Sequence, residues 1–251
     1  MSADIVNLDD GLKVGRGKNM KGRVVLITGA SRGIGATMAK LFAQKGAKIG
    51  VVGKTQEPHP KLAGTIHSVV QEIQEQGGQA IALPCDVRDE VAVQGAIDAL
   101  VAEYGGIDVL VNNASAIQLS TIQETDMKRF DLMMSVNMRG TFLCSKLCLP
   151  HLMQGKNPHI LTMSPPLNMN AKWFRQHLAY TMSKYGMSMN TLGLSAMLKG
   201  KISVKGGTIF NIKDMNADIS LGCLNVITGV SGSGKSSFMY EILHKNLEAK
   251  L

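Results

Sequence analysis

Residues 28–35, "TGASRGIG", form a glycine-rich turn from which the fold of this chain can be predicted. The turn joins an apolar strand to a segment with helical spacing, and a second strand follows: "RVVLITG" (23–29), "IGATMAKLFAQKG" (34–46) and "AKIGVVG" (47–53). This order predicts a βαβ unit. Because glycine has no side chain, the turn can bend sharply and admit a pyrophosphate beside the N-terminus of the helix. A tight βα connection that binds no ligand would have the same sequence pattern, so other motifs in the chain are needed to distinguish a binding turn from a purely structural one.

Strands and helices continue to alternate after this unit. The further segments are a helix at 65–78, a strand at 79–87, a helix at 91–106, a strand at 107–115, a long helix at 129–152 and a strand at 159–164. This alternation predicts the α/β class, with a parallel, doubly wound (Rossmann-like) sheet. Such sheets bind nucleotides at the carboxyl ends of their strands.

The composition argues against several other classes of protein. The chain of 251 residues is 45% hydrophobic and contains no run long enough to span a membrane. Its first residues lack the order of a secretory signal and include Asp9 and Asp10, so a cytoplasmic protein is expected. Its cysteines show no metal-ligand spacing, so buried thiols and no metal are predicted. Its net charge is +8, but the lysines and arginines are scattered along the chain, so neither nucleic acid nor a membrane is an expected partner.

Five motifs in order resemble those of the short-chain dehydrogenase/reductase family. They are "TGASRGIG" (28–35), "DV" (86–87), "NNAS" (112–115), Ser164 and "YTMSK" (180–184), with Asn137 between the third and the fourth. The likeness covers about residues 21–199, and "GKTQEPHPKLAGTIHS" (53–68) and "SPPLNMN" (164–170) are similar to the hydroxysteroid dehydrogenase-like branch of that family. The resemblance implies an oxidoreductase domain at 21–199, preceded by a flexible segment at 1–20.

Tyr180 and Lys184 are candidate catalytic residues. They are four residues apart on a predicted helix, so both side chains project from one face. An adjacent ammonium group favours the phenolate, so we expect a lowered Tyr180 pKa and proton exchange with a substrate oxygen. The resemblance implies that Ser164 hydrogen-bonds this oxygen and that Asn137 connects Lys184 to a water relay. An isolated Tyr and Lys at this spacing would also fit the exposed face of an amphipathic helix.

The cofactor predicted for this domain is NADP, in preference to NAD. Lys54 follows the second strand, where a carboxylate would bind the ribose of NAD and a cation would bind the extra phosphate of NADP. Arg32 is placed to reach the same phosphate, although both residues would also be ordinary on a surface. The residues expected to bind the cofactor are Gly29, Ser31, Arg32, Gly33, Ile34, Gly35, Lys54, Asp86, Val87, Asn113 and Ala114.

The resemblance to dehydrogenases ends near residue 200. Residues 200–251 instead resemble the phosphate-loop segment of the ABC-type ATPase in the bacterial excinuclease of DNA repair. The residues Gly229, Gly234, Lys235 and Ser236 satisfy the phosphate-loop pattern G-x-x-x-x-G-K-S. Lys235 is suited to pair with phosphates and Ser236 to hold Mg²⁺, so ATP with Mg²⁺ is a second candidate ligand. The chain ends before the acidic metal ligand that hydrolysis needs, so both binding without turnover and an inert remnant stay open.

Two placements are open for the strand "CLNVITG" (223–229). It is apolar enough to occupy the sheet position of a dehydrogenase strand that the sequence lacks, so that a phosphate-loop strand and helix replace the C-terminal strands. Alternatively, "KISVKGG" (201–207) and "NIKDMNADIS" (211–220) read as an antiparallel pair, which favours a small separate module.

The function favoured by these observations is an NADP-dependent oxidoreductase of a carbonyl or alcohol group, impaired if its substrate lid is absent. The alternative is an ATP-binding, excinuclease-like module with an inactive dehydrogenase scaffold. Apolar residues near Ser164 predict a small apolar substrate: Leu167, Met169, Trp173 and Phe174. A homo-oligomer is expected through the helices at 125–150 and 178–198. The terminal "AKL" is similar to the peroxisomal address S-K-L, so the peroxisome is an alternative compartment.

Overall fold

The computed structural model describes residues 20–58, 63–155 and 157–197 together with strands at 201–209, 212–220 and 223–226, and the side chains up to residue 195. Three predicted features lie outside the described residues: the N-terminal segment at 1–19, the phosphate loop with Gly229, Gly234, Lys235 and Ser236, and the helix predicted after it. No helix in the described part of the chain is long and apolar enough to cross a membrane.

Strands and helices alternate in the predicted order. The elements are β1 (Val24–Thr28), α1 (Gly33–Gln44), β2 (Lys48–Gly53), α2 (Ile66–Glu75), β3 (Gln79–Pro84), α3 (Glu90–Tyr104), β4 (Val109–Asn112), α4 (Met127–Met133), a π-helical turn (Met134–Arg139), α5 (Gly140–Leu152), β5 (His159–Met163), a 3₁₀ turn (Ala171–Trp173), α6 (Leu178–Met197), β6 (Lys201–Ile209), β7 (Ile212–Ser220) and β8 (Cys223–Val226). The helix predicted at 129–152 is therefore interrupted by the π-helical turn.

The strands form one sheet in the order β3-β2-β1-β4-β5-β8-β7-β6. β1 pairs in parallel with both β2 and β4, and β4 and β5 are also parallel, which confirms the predicted doubly wound sheet. The chain runs outward from β1 to β3 and then crosses back to β4 on the other side of β1. This reversal opens a crevice at the carboxyl ends of β1 and β4, where ligands of such sheets bind.

The two faces of the sheet have separate apolar cores. Along β1, Val25 and Ile27 join the core on one face, and Val24 and Leu26 join the core on the other. Both faces of a parallel strand are covered by helices, which explains why β1 reads as a continuous apolar run rather than an alternating one.

Three of the predicted buried thiols lie in these cores. Cys85, Cys144 and Cys148 are unpaired and buried. Burial raises the pKa of Cys85 to about 11 and that of Cys144 to about 12, so these thiols stay protonated near neutral pH.

The first helices differ in how they begin. The Thr65 hydroxyl accepts a hydrogen bond from the Ser68 amide at the start of α2, and the Asp89 carboxylate accepts from the amides of Val91 and Ala92 at the start of α3. α1 begins after Arg32 with no side-chain cap and has no acidic residue in its first turn. Its amide groups therefore keep their capacity to bind an anion.

The C-terminal strands extend the same sheet. β8 lies parallel to β5, with Leu224 opposite Leu161, and thus occupies the sheet position left open for it. β6 and β7 form the predicted antiparallel pair, with Ile202 opposite Ile219, and they continue the sheet beyond β8. Of the two predicted placements, the structure shows the first, with β8 in the main sheet. The antiparallel pair also forms, but β6 and β7 join this sheet rather than a separate one.

Removing β6, β7 and β8 together should destabilise the domain. A chain that ends at residue 200 exposes the β5 edge, and a loss of about 2 kcal/mol would lower the thermal midpoint by roughly 4–8 °C. A chain that ends at residue 226 retains all three strands and serves as the control. Circular dichroism melts of both chains measure the effect, and equal midpoints would show that these strands do not stabilise the sheet.

Candidate active site

The glycine-rich turn packs directly against the end of β4. Gly29 has φ +65°, and a Cβ atom there would lie 2.7 Å from the Cα atom of Ala114. A Cβ atom on Gly35 would lie 2.5 Å from the side-chain nitrogen of Asn113. Both glycines are therefore required for the close approach of the turn to β4, whereas Gly33, at φ +55° with open space around it, is required only for its backbone conformation.

Thr28 and Asn113 hold the turn and β4 together. The Thr28 hydroxyl donates to the Val111 carbonyl at 3.2 Å and accepts hydrogen bonds from the amides of Asn113 and Ala114, both at 3.0 Å. The Asn113 side-chain amide donates to the carbonyls of Thr28 and Gly29, both at 3.0 Å. These bonds leave the exposed side of the turn open to a ligand.

The predicted phosphate-binding side of the turn carries Ser31, Arg32 and Ile34. Ser31 is buried, and the Ile34 side chain is 59% exposed beside the N-terminus of α1. An Arg32 Nη atom donates to the Gly64 carbonyl at 3.1 Å, while the buried Arg32 Nε has no partner among the described residues. An uncapped helix start beside an incompletely bonded guanidinium fits the pyrophosphate and phosphate groups of a dinucleotide.

Lys54 and Asp86 follow the neighbouring strands β2 and β3, and Arg88 lies between Asp86 and the start of α3. Arg88 donates from Nε and Nη to the two carboxylate oxygens of Asp86, at 2.9 and 2.6 Å. This side-chain bond is the largest cause of the lowered Asp86 pKa, and the charge of Lys54 adds to it. Val87 is buried against α5, where a Cβ atom on Gly140 would lie 2.9 Å from it. Arg88 was not predicted from the sequence; by pairing with Asp86 it neutralises the carboxylate at this edge, so Lys54 keeps its positive charge beside a neutral pair.

Ser164 and Lys184 meet the carboxyl end of β5. Ser164 is fully buried, yet its hydroxyl has no partner among the described residues. The Lys184 ammonium is 5% exposed and donates to the Met163 carbonyl at 2.6 Å. Burial lowers the pKa of Lys184 to about 8. The structure thus brings a proton-exchanging amine and an unused hydroxyl to one strand end.

Tyr180 differs from the prediction in the direction of its pKa. Burial raises the Tyr180 pKa, and a hydrogen bond with the Ser115 side chain opposes that rise. The predicted lowering of the Tyr180 pKa by Lys184 is wrong for this arrangement, because burial is the largest effect on that pKa and the Lys184 ammonium donates to the Met163 carbonyl instead. Ser115 was also missed, although its place at the end of "NNAS", just after β4, was a signal that it could reach the same site.

Asn137 connects the segment after β4 to helix α6. Its side chain accepts from the Ala116 amide at 2.7 Å and donates to the Ala116 carbonyl at 2.9 Å. It also donates to the Ser183 hydroxyl at 2.9 Å, and that hydroxyl donates to the Tyr180 carbonyl at 2.8 Å. Asn137 lies in the π-helical turn, a feature that is frequent at functional sites. These contacts position Ser115 and Tyr180, while the predicted water relay from Asn137 to Lys184 stays a prediction.

A cavity of about 650 Å³ lies between the segment at 121–123, which follows β4, and the segment at 171–178, which leads into α6. Of the residues predicted to contact substrate, Phe174 lines this cavity. Trp173, Leu167 and Met169 lie in the same segment after β5, and all three are exposed.

The sequence pattern described as short chain dehydrogenase matches residues 23–212 of this chain. The chain belongs to the short-chain dehydrogenase/reductase family. It is an oxidoreductase by family, and its relatives include hydroxysteroid dehydrogenase-like protein 2 of Danio rerio, 52% identical over 185 residues, which are 74% of this chain and 45% of the relative. The Homo sapiens protein of that name is also 52% identical, over 74% of this chain and 44% of its own length. The chain therefore spans less than half the length of these curated relatives.

Solved structures of short-chain dehydrogenases resemble this one. A putative dehydrogenase from Xanthomonas campestris is 51% identical, with a TM-score of 0.70 over 71% of this chain and 67% of that chain. A metagenomic short-chain oxidoreductase in complex with NADP is 27% identical, with a TM-score of 0.64 over 72% of this chain and 78% of that chain. These similarities confirm the predicted Rossmann-like fold of a short-chain dehydrogenase.

The same comparisons give no support to the predicted excinuclease likeness. The family match ends at residue 212, beyond the predicted limit of 199 and before the phosphate loop at 229–236. The relatives reported above are short-chain dehydrogenases. The predictions of an ATP site and of a chimeric chain therefore rest on the sequence motif alone.

The buried Lys184 should make stability depend on pH. Between its pKa of about 8 and the ordinary value of 10.5, the unfolded state binds more protons, so the free energy of unfolding rises with pH through this window. At neutral pH the buried ammonium of Lys184 costs the folded state on the order of 3 kcal/mol. Lys184→Met removes this cost, so the variant should be more stable than wild type at neutral pH, and the difference should shrink toward pH of about 10. Urea unfolding across this range measures the gap. The exposed Lys146→Met is the control, and a Lys184→Met gap that does not vary with pH would contradict the expectation.

Proposed function

We propose that this chain is an NADP-dependent oxidoreductase that interconverts a carbonyl and an alcohol, with Tyr180 as the proton donor and acceptor. The observation that carries the proposal is at the end of β5, where the buried hydroxyl of Ser164 has no partner among the described residues and the buried Lys184 binds the carbonyl of the preceding residue, Met163. A buried hydroxyl without a partner costs free energy, and a substrate oxygen would supply the missing hydrogen bond.

The residues around the glycine-rich turn fit the proposed cofactor. The uncapped amides of α1 would bind the pyrophosphate, and Asn113 and Ala114 would flank the nucleoside part. Lys54 and Arg32 would bind the phosphate that distinguishes NADP from NAD. A relative with this fold binds NADP, as its structure is a complex with that cofactor. When bound, NADP exchanges a hydride with the substrate carbon.

The side chains of this chain would handle the proton. In the reducing direction, the Ser164 hydroxyl orients the carbonyl oxygen and the Tyr180 hydroxyl donates its proton to it, leaving a phenolate. Ser115 stabilises that phenolate through the hydrogen bond that opposes the raised Tyr180 pKa. Lys184, with a pKa of about 8, is suited to return a proton to Tyr180 from solvent, by the relay through Asn137 that we propose. Oxidation of the alcohol runs the same steps in reverse.

We also propose a substrate class, an assembly and a location. The substrate is a small apolar carbonyl or alcohol, because the segment after β5 carries the apolar side chains of Leu167, Met169, Trp173 and Phe174. The exposed side chains of Met182, Met189 and Leu192 on α6 support pairing of the helices at 178–198 and 125–150 in a homo-oligomer. We propose the cytoplasm as its location, with the peroxisome as the alternative, and a dehydrogenase activity for the longer protein if this chain is part of one.

The test of the reaction separates Tyr180 from the phosphate loop. Tyr180→Phe keeps the ring but removes the exchangeable proton, so reductase activity with NADPH should fall by about a hundredfold or more. Lys235→Ala should leave that activity unchanged, and ATP should not be hydrolysed above background. ATP turnover that disappears in Lys235→Ala, with reductase rates indifferent to Tyr180→Phe, would overturn the proposal.

The test of cofactor choice uses the charge at the end of β2. Lys54→Asp replaces attraction for the extra phosphate with repulsion, so NADPH affinity should fall roughly tenfold or more while NADH affinity changes little. Lys48→Asp makes the same charge change at the other end of the strand and should affect neither. Titration of nicotinamide fluorescence gives the dissociation constants of both cofactors for wild type and the two variants, and equal losses for both cofactors in Lys54→Asp would show that Lys54 does not contact that phosphate.

A further inference from the structure

The cavity between residues 121–123 and 171–178 combines apolar walls with positive charge. Ile122, Phe174 and Leu178 contribute apolar surface, and Lys172 and Arg175 are the charged residues that line it. Its volume of about 650 Å³ is within the usual range for sites that bind small molecules.

The walls of this cavity have defined local structure. The Thr181 hydroxyl on α6 donates to the Trp173 carbonyl at 3.0 Å, and the Asn170 side chain accepts from the Lys172 amide at 3.1 Å. The Phe174 ring meets the buried Tyr185 ring edge to face, with centroids 5.1 Å apart. These contacts fix the backbone that carries Lys172 and Arg175, so the two cations are held at one wall.

The carboxylate of Glu124, beside the opposite wall, bonds its own loop and forms no ion pair with either cation. It accepts hydrogen bonds from the Thr121 amide at 3.2 Å and from the Thr121 hydroxyl at 2.9 Å. Among the described residues, neither Lys172 nor Arg175 forms an ion pair. The Lys172 ammonium lies 4.9 Å from the centroid of the Trp173 ring, a neutral partner that leaves its charge in place. An apolar cavity lined by two cations that form no ion pair with any described residue attracts an amphiphilic anion.

We propose that this cavity binds the carboxylate-bearing end of an aliphatic substrate. Arg175 would hold the carboxylate, because a guanidinium presents paired donors to both carboxylate oxygens, and Lys172 would add a second positive charge. The methylene chain would pack on Phe174, Ile122 and Leu178. The two walls follow β4 and β5, the strand ends that carry Ser115 and Ser164, so the reacting carbonyl would lie toward Tyr180. This assignment rests on the proposed oxidoreductase function for the site's chemistry, but binding of the carboxylate does not require turnover.

The single tryptophan of the chain reports on this cavity. Trp173 is the only tryptophan and lies between the lining residues Lys172 and Phe174. Titration of its fluorescence with decanoate should give a saturable change, and decanol, with a chain of the same length and no charge, should bind more weakly. Because a hydrogen bond to a charged group contributes about 1.5–3 kcal/mol, Arg175→Gln should weaken decanoate binding roughly tenfold or more. Arg129→Gln, an exposed change on α4, should leave it unchanged.

A kinetic comparison links the cavity to the reaction. Wild type should reduce a decanal that bears a terminal carboxylate with a higher kcat/KM than decanal itself, and Arg175→Gln should bring the ratio of the two constants toward one. Equal binding of decanoate and decanol, or decanoate binding that Arg175→Gln does not weaken, would overturn this proposal while leaving reductase activity on decanal intact. Decanoate binding that depends on Arg175, in a protein whose reductase rate ignores Tyr180→Phe, would instead overturn only the proposed function.

Discussion

The hydroxyl of Thr28 joins the two strand ends between which the candidate site lies. It donates a hydrogen bond to the Val111 carbonyl of β4 and accepts hydrogen bonds from two backbone amides of the segment that follows β4. A single side chain thus satisfies the Ala114 amide and adds a second bond to the Asn113 amide and the Val111 carbonyl, which also bond each other, at the point where the strand order reverses. The turn after β1 can then bind Asn113 closely, which is possible only because Gly29 and Gly35 have no Cβ atom. This junction holds the two sides of the crevice together.

A second junction, at Asn137, connects one side of that crevice to Tyr180. Asn137 clamps both polar groups of the Ala116 backbone and reaches Tyr180 through Ser183. The segment after β4 is therefore attached to the start of α6, and Ser115 is held where it bonds Tyr180. Burial then favours the neutral form of both ionisable groups, because it raises the Tyr180 pKa and lowers that of Lys184. Tyr180 thus keeps the proton that it would donate, and Lys184 can exchange protons near neutral pH, which suits the proposed reaction.

The sequence was sufficient for features that depend on local chemistry. The turn at 28–35 and the alternating apolar segments predicted β1, α1 and the parallel sheet, because glycine conformation and apolar periodicity act over short distances. The direction of the Tyr180 pKa was mispredicted, because it depends on burial by residues distant in the chain. Ser115 was missed for the same reason, because folding brings it to Tyr180. Arg88 was missed because its bond to Asp86, only two residues earlier, depends on the conformation of the loop after β3. The π-helical turn at Asn137 could not be recognised in a sequence pattern that is helical on both sides of it. The choice between the two placements of β8 depended on the open edge of β5, which exists only in the folded sheet.

The central claim is that the crevice formed by β1, β4 and β5 binds NADPH in the orientation needed for reduction. The most direct measurement is the nicotinamide fluorescence of NADPH during titration with the purified chain. We expect a saturable, blue-shifted increase in fluorescence, because a bound nicotinamide is shielded from water, and NADP⁺ should reverse this increase by competition. The increase should be weaker with NADH, because NADH lacks the phosphate that would contact Lys54 and Arg32. Unchanged fluorescence with excess protein, whose circular dichroism shows a folded α/β domain, would contradict it.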